Sequence, residues 1–447
     1  MSLREQLRRW PDIPFSIYAS FAAFSTYSCV YAFRKAFAAA SFADVPRYAV
    51  ELSALDFSRS LEYKSLLVIS QTIGYAMSKF IGIKVVSEML SNRRAISIVL
   101  LVALAELALL GFALVPNSLR PCFLFLNGIP LGMLWGLVFS YLEGRRFTEI
   151  MGLGLCATFL YSSAMVKIVG KKLLDFGISE FWMPFVTGAC FALPLLGSVW
   201  LLNQLPPPNE ADEAFRTKRV PMNGRQRREF LWRLGPGLGM LVLIYLCLTS
   251  YRDFRDNFTR DIWDELRPGE NFDFSRPDTI GSLVVLLLLM VLVVFRNNAR
   301  ALVANHLFIF AGCLTVGLST YLFQRGVIND FTWMLCNGIG TYVGYIPFNA
   351  ILYDRLIATF QQASNVGFSI YVADSIGYLA SIVVLLYKQF GSGDLSWVQF
   401  LQQMSYVVAV VGGILTLGSL AYFWVKRPKN GQEGERPPAA SVQSARC

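Results

Sequence analysis

Twelve apolar windows of about twenty residues, each bounded by charges and by proline or glycine, follow one another along this 447-residue chain. As an α-helix, a window of that length covers about 30 Å, the hydrocarbon thickness of a bilayer. No water is present there to satisfy a backbone N–H or C=O, so only helices and closed barrels can cross. The windows predict helices near 14–42, 64–88, 94–115, 119–142, 150–173 and 181–203, then near 234–258, 278–296, 300–323, 329–353, 362–387 and 399–425. With 55% apolar and 16% charged residues and a mean hydropathy of +0.47, the chain lies far from the roughly one-quarter charge of a soluble domain. A disordered chain, a collagen and a secreted disulfide scaffold are excluded. The expected fold class is all-α integral membrane, with twelve transmembrane helices in two pseudo-symmetric six-helix bundles.

Six windows precede the first long polar stretch, which opens with Pro206, Pro207 and Pro208, and six follow it. The expected division is a bundle over 1–203, a linker over 204–233, a second bundle over 234–425 and a polar, disordered tail over 426–447. A net charge of +10 would suit nucleic acid, but lysine and arginine are about twofold enriched in the loops and tails of one side, as membrane topology requires. That bias expects both termini and the linker in the cytoplasm, in a multi-pass protein of the inner (plasma) membrane, and argues against nucleic acid. Arg4, Arg8 and Arg9 before an apolar stretch look like the start of a signal peptide. The stretch from Phe15 to Ala43 is about twice too long for one, and Arg34 and Lys35 interrupt it, so it reads as the first helix.

The halves share short sequences in matching places. The first window ends FRKAF, Phe33 to Phe37, and the seventh ends FRDNF, Phe254 to Phe258. The fourth and tenth carry Asn-Gly-Ile at Asn127 and Asn337, with Tyr161 and Tyr371 following at the same offset. Their common order indicates a duplicated six-helix unit, a design that puts its substrate in a cleft between the halves near the midplane.

Charges inside apolar windows cost about 2.5 to 3.5 kcal/mol each on insertion scales, so each needs a reason. They are Arg34, Lys35, Lys79, Lys84, Glu106, Lys167 and Asp374, with Arg252 and Arg255 near an outer end. Arg34 follows about nineteen uncharged residues, which would suit an arginine snorkelling to the outer interface. The apolar run from Ala36 to Ala43 beyond it favours a cavity instead. Lys79 and Asp374 are lone charges among apolar neighbours, read equally well as a salt bridge between the halves or as substrate or proton binders. Arg255 is flanked by Asp253 and Asp256, so a solvated helix end competes with a place opposite Arg34 given by the repeat. Glu106 and Lys167 fit internal pairing better than a direct role. Tyr31 shares a helix face with Arg34, and Tyr75 with Lys79. Those tyrosines, with Tyr345, Tyr371 and Tyr378, lie within helices rather than in interfacial belts, where packing is the default reading of each.

Enzyme chemistry has little to work with. Cys29, Cys122, Cys156, Cys190, Cys247, Cys313 and Cys336 lie in apolar runs and Cys447 in the tail, none at metal-ligand or redox spacing. His306, the single histidine, sits near the start of an apolar segment, where a bland interfacial role is expected. GxSxG, HExxH and a phosphate loop are all missing from the sequence. No enzymatic activity, cofactor or metal is expected.

The six-plus-six plan resembles the major facilitator superfamily, and its first two helices resemble the organophosphate:phosphate antiporters of that group. YAFRKAFAAA, Tyr31 to Ala40, is similar to their Tyr-x-x-Arg-Lys-x-Phe-Ala signature, and YAMSKFIG, Tyr75 to Gly82, to their second-helix pattern. The superfamily's loop motif between the second and third helices survives in part as Gly82, Ser87, Glu88, Arg93 and Arg94. The resemblance implies phosphate binding by Arg34, assisted by Lys79, with Arg255 as the seventh-helix arginine. The expected function is a secondary active transporter that moves a small organic anion, a phosphate ester among the candidates, by alternating access. Substrate contacts would come from Arg34, Lys79, Arg255, Tyr31, Tyr75 and Tyr371, and coupling or gating from Lys35, Asp374, Glu106 and Lys167. Expected partners are an anionic small molecule and the lipid bilayer, with the protein a monomer. A proton-coupled symporter of a neutral solute and a membrane sensor that binds without transporting are the alternatives.

Overall fold

The computed structural model describes residues 2–52, 57–87, 89–145, 147–208, 212, 224–270, 272–273, 276–295, 297–360, 366–392 and 394–427. Every apolar window is helical in it. The first half holds α1 (Asp12–Lys35), α2 (Tyr63–Ser87), α3 (Arg94–Leu114), α4 (Arg120–Phe139), α5 (Thr148–Asp175) and α6 (Met183–Asn203). The second holds α7 (Gly224–Asn257), α8 (Arg276–Val293), α9 (Asn298–Gln324), α10 (Asp330–Ala350), α11 (Val366–Phe390) and α12 (Trp397–Lys426). By length and composition α3, α4, α5, α6, α9, α12 and the Leu234–Asn257 part of α7 can each cross a membrane. The outer faces match that environment. On α3, Ile96, Leu100, Leu104 and Leu107 recur every three or four residues and are all more than half exposed, an apolar stripe suited to lipid rather than water.

Two features depart from the sequence reading. The first window is α-helical only to Lys35; Ala36–Ala39 form a 3-10 turn. That turn is buried, because α5 comes close at Gly170, where an added Cβ would stand 3.2 Å from the Ala39 Cβ. Arg34 therefore sits in the last turn of α1, with buried chain from Ala36 to Ala40 continuing beyond it. The second departure is a hairpin between α1 and α2, in which β1 (Tyr48–Leu52) pairs antiparallel with β2 (Phe57–Leu61) and Tyr48 stands opposite Leu61. Two short helices, Thr259–Leu266 and Leu352–Phe360, follow α7 and α10.

Small residues fix how the helices meet. A Cβ on Gly74 of α2 would fall 2.1 Å from the Phe125 carbonyl oxygen, and one on Gly128 of α4 would fall 2.3 Å from the Gln71 carbonyl oxygen, so α2 and α4 touch backbone to backbone. The same contact joins α9 and α10, where a Cβ on Gly340 would lie 2.7 Å from the Gly312 carbonyl oxygen. The repeated asparagines, both fully buried, serve as knots. Asn127 donates to the carbonyls of Phe33 and Ala105 and accepts from Gln71, tying α1, α2 and α3 to α4. Asn337 accepts from Tyr251 and donates to Ser319, tying α7 and α9 to α10. His306 is not interfacial: it is fully buried in α9, bonded to the Leu302 carbonyl and to Ser419 of α12.

Candidate functional site

Charged side chains from the two halves meet along one seam. Near the end where α1 stops, Lys64 of α2 pairs with Asp261 at 2.6 Å, and burial still holds the Asp261 carboxyl above the usual carboxylate range against the pull of that lysine. One layer inward, Asp256 of α7 takes Lys35 of α1 at 2.6 Å and Lys167 of α5 at 2.7 Å, and accepts from Ser163. Lys35 also donates to Asn257. By the repeat Lys35 and Asp256 occupy equivalent positions in FRKAF and FRDNF, so the pseudo-twofold brings them face to face. Deeper still, Lys79 of α2 pairs with Asp374 of α11 at 2.7 Å, and the other carboxylate oxygen accepts from Tyr245 at 2.7 Å. At the opposite end Arg355, after α10, pairs with Glu149 of α5 at 2.7 Å. Removing one member of such a buried pair strands the other charge.

Arg34 lies between the Asp256 and Lys79 layers, and no carboxylate among the described residues pairs with it. Its guanidinium carbon stands 3.8 Å from the Tyr75 ring centroid and 5.5 Å from that of Tyr378, while its Nε is buried without a hydrogen-bond partner. Tyr75 and Tyr378 meet edge to face at 4.7 Å across the seam. Lys79 approaches the same Tyr75 ring, at 5.2 Å. Tyr31 is buried one turn along α1 from Arg34 and packs edge to face on Tyr27 at 5.6 Å. A ring's negative face stabilises a cation but does not neutralise it, so the site keeps a positive charge and free guanidinium donors.

The second arginine of the site is Arg252, which the sequence reading left at an outer helix end. It stacks on Tyr345 at 4.2 Å, donates to the Tyr378 hydroxyl at 3.4 Å and pairs with its neighbour Asp253 at 2.7 Å. Tyr378 thus touches both arginines. Arg255, expected opposite Arg34, is turned into its own half, where it binds Asp278 of α8 at 2.5 Å and the Met334 carbonyl. The repeat places the arginines equivalently, but only the second half supplies a carboxylate to neutralise its copy. The sign that Arg252 belongs here was its spacing: on α7 it lies one helical turn from both Thr249 and Asp256, the latter already marked by the repeat.

Lys35, Lys167, Lys79, Asp374, Tyr31 and Tyr75 come together at the seam. Glu106 does not. It lies between α3 and α6, its carboxyl oxygens buried without partners and so close to Gly188 that an added Cβ there would stand 2.2 Å from Oε2. Arg94, from the partial loop motif, donates to the Ser140 carbonyl at 3.0 Å. The Tyr371 and Lys84 side chains, Glu88, most of the linker and the tail beyond residue 427 lie outside the described residues.

Comparison with known proteins gives the family and the fold. The model of DUF5690, a family of unknown function, matches residues 46–426, and the chain belongs to that family. No curated protein matches it by sequence. Among solved structures, a nucleoside transporter, NupG, superposes with a TM-score of 0.57 at 14% identity, covering 95% of this chain and 99% of its own. A D-xylose-proton symporter superposes with a TM-score of 0.56 at 15% identity, covering 92% and 97%. A POT family transporter gives 0.56 at 11%, covering 91% and 96%. The fold is the major facilitator fold of these transporters.

Proposed function

We propose that this member of DUF5690 is a secondary transporter that moves a small organic anion by alternating access, with the anion seated on Arg34 in the seam between two six-helix halves, residues 1–203 and 234–425. The observation that carries this reading is the contrast at the seam: Lys35, Lys64, Lys79, Lys167, Arg252 and Arg355 each have a carboxylate, whereas Arg34 has two tyrosine rings. A permanently charged, half-buried, planar fork without a counter-ion among the described residues is a receptor for a carboxylate or a phosphate. Lys79 is the second contact. An incoming anion that draws Lys79 away leaves Asp374 with Tyr245 alone, and that loss of a cross-seam pair links occupancy to rearrangement of α2 against α11. Arg252 takes the place expected of Arg255.

Two further observations support the reading. The fold is shared with transporters whose names specify a sugar, a nucleoside and a peptide conjugate, and the α1 and α2 segments resemble those of organophosphate:phosphate antiporters, which keeps a phosphate ester among the candidates. The protein would sit as a monomer in the inner (plasma) membrane with both termini in the cytoplasm. A proton-coupled symporter of a neutral solute is the second reading. It is favoured by Asp374, a carboxylate deep in the seam held by both Lys79 and Tyr245.

Thermal unfolding of the purified full chain in detergent, with a panel of carboxylated, phosphorylated and neutral metabolites, separates the two. The anion reading expects an anion to raise Tm, by mass action on the folded state, and expects Arg34→Gln to abolish the shift. Stabilisation by neutral solutes alone, strengthened at lower pH, would overturn it in favour of the symporter.

A further inference from the structure

Resting on the anion reading, we infer that the substrate's anionic group is carried on a flat, unsaturated ring, rather than on a polyol or a nucleoside. Recognition of vicinal hydroxyls or a nucleobase edge needs carboxylates and amides free to accept and donate. Among the described residues of the seam most of these groups are already committed. Asp253, Asp256 and Asp374 are in ion pairs. Gln71 spends its amide on the Arg34 carbonyl and Asn127, Asn257 accepts from Lys35, and Asn349 accepts from Tyr245.

What remains around Arg34 is aromatic. Arg34 lies over Tyr75 at 3.8 Å and Arg252 over Tyr345 at 4.2 Å, with Tyr378 between the two guanidinium planes at 5.5 and 5.9 Å. Such a stack of alternating guanidinium and ring faces accepts another flat ring, which gains offset-stacking and edge contacts as well as burial. A saturated body of the same size gains burial alone.

The test uses the purified full chain in detergent, with benzoate and cyclohexanecarboxylate as probes of equal charge and similar size. Equilibrium binding is expected to favour benzoate by about five- to tenfold, the size of an aromatic contact beyond its area. Tyr75→Leu should bring that ratio to about one while both acids still bind; Tyr75→Phe, which keeps the ring, should preserve it. Arg34→Gln should lose both acids. Equal affinities in the wild type would overturn the aromatic inference and leave the anion reading standing. Tight glycerol 3-phosphate with weak benzoate would likewise overturn the aromatic inference and leave the anion reading standing. Binding of xylose or uridine and of neither acid, or no binding by any probe, would overturn the inference and the anion reading together.

Discussion

Arg34 and Lys35 are consecutive residues with different partners. Lys35 reaches across the seam to Asp256, while Arg34 turns to Tyr75 and has no such counterpart. Replacing Arg34 by lysine keeps the charge and removes the fork, so Arg34→Lys is expected to fold as the wild type in thermal unfolding and yet lose anion binding at least tenfold. Lys79 and Asp374 test a different principle. Lys79→Met or Asp374→Leu strands one buried charge and should cost about 3 to 5 kcal/mol, whereas the double substitution should be less destabilising than the sum of the two. Unfolding of the three variants in detergent measures this directly, and additive losses would mean the pair does not interact energetically. These three charges could be found in the sequence because each interrupts an apolar run, where a charge is costly. Arg252 and Arg255 could not be sorted, because they sit among Asp253 and Asp256. Which arginine turns away from the seam is decided by Asp278, a partner on another helix.

At the scale of the elements, hydropathy made the twelve helices legible, because a bilayer-crossing segment must be long, apolar and internally bonded. Where the chain leaves the hydrocarbon the signal stops. The hairpin of Tyr48–Leu52 and Phe57–Leu61 and the end of α1 at Lys35 were passed over, since an apolar alanine run does not distinguish an α-helix from a buried 3-10 turn. The Asn-Gly-Ile repeats carried more than their length suggested. Each asparagine ties three or more helices, and Gly128 lets α2 press on α4 at the height of Gln71. Gly128→Val would push its side chain against the Gln71 carbonyl. It is expected to lower Tm by several degrees and weaken anion binding, because Tyr75 of α2 packs one turn away from Gln71. A variant with unchanged Tm would show that the two helices need not touch.

Over the whole molecule, ion pairs at both ends of the seam hold the halves together, with the denser set at the end where α1 stops: Asp256 with two lysines and Asp261 with Lys64, against Arg355 with Glu149 at the other. Asp256→Asn removes the charge that two lysines share. Outward opening should follow, read as faster modification of a cysteine placed at Ser163 by a membrane-impermeant maleimide added from outside. The proposed topology also puts the linker in the cytoplasm, so a cysteine at Asn223 should react only once the membrane is permeabilised.

Uptake in proteoliposomes tests the central claim most directly. The full chain and its Arg34→Gln variant are reconstituted at equal density and given, as a labelled compound, the organic anion that most raises the wild-type Tm. Saturable accumulation by the wild type, reduced to the level of empty vesicles by Arg34→Gln, is the predicted result. Equal uptake by the two proteins would show that Arg34 is not the anchor, and binding without any wild-type uptake would show a sensor rather than a transporter.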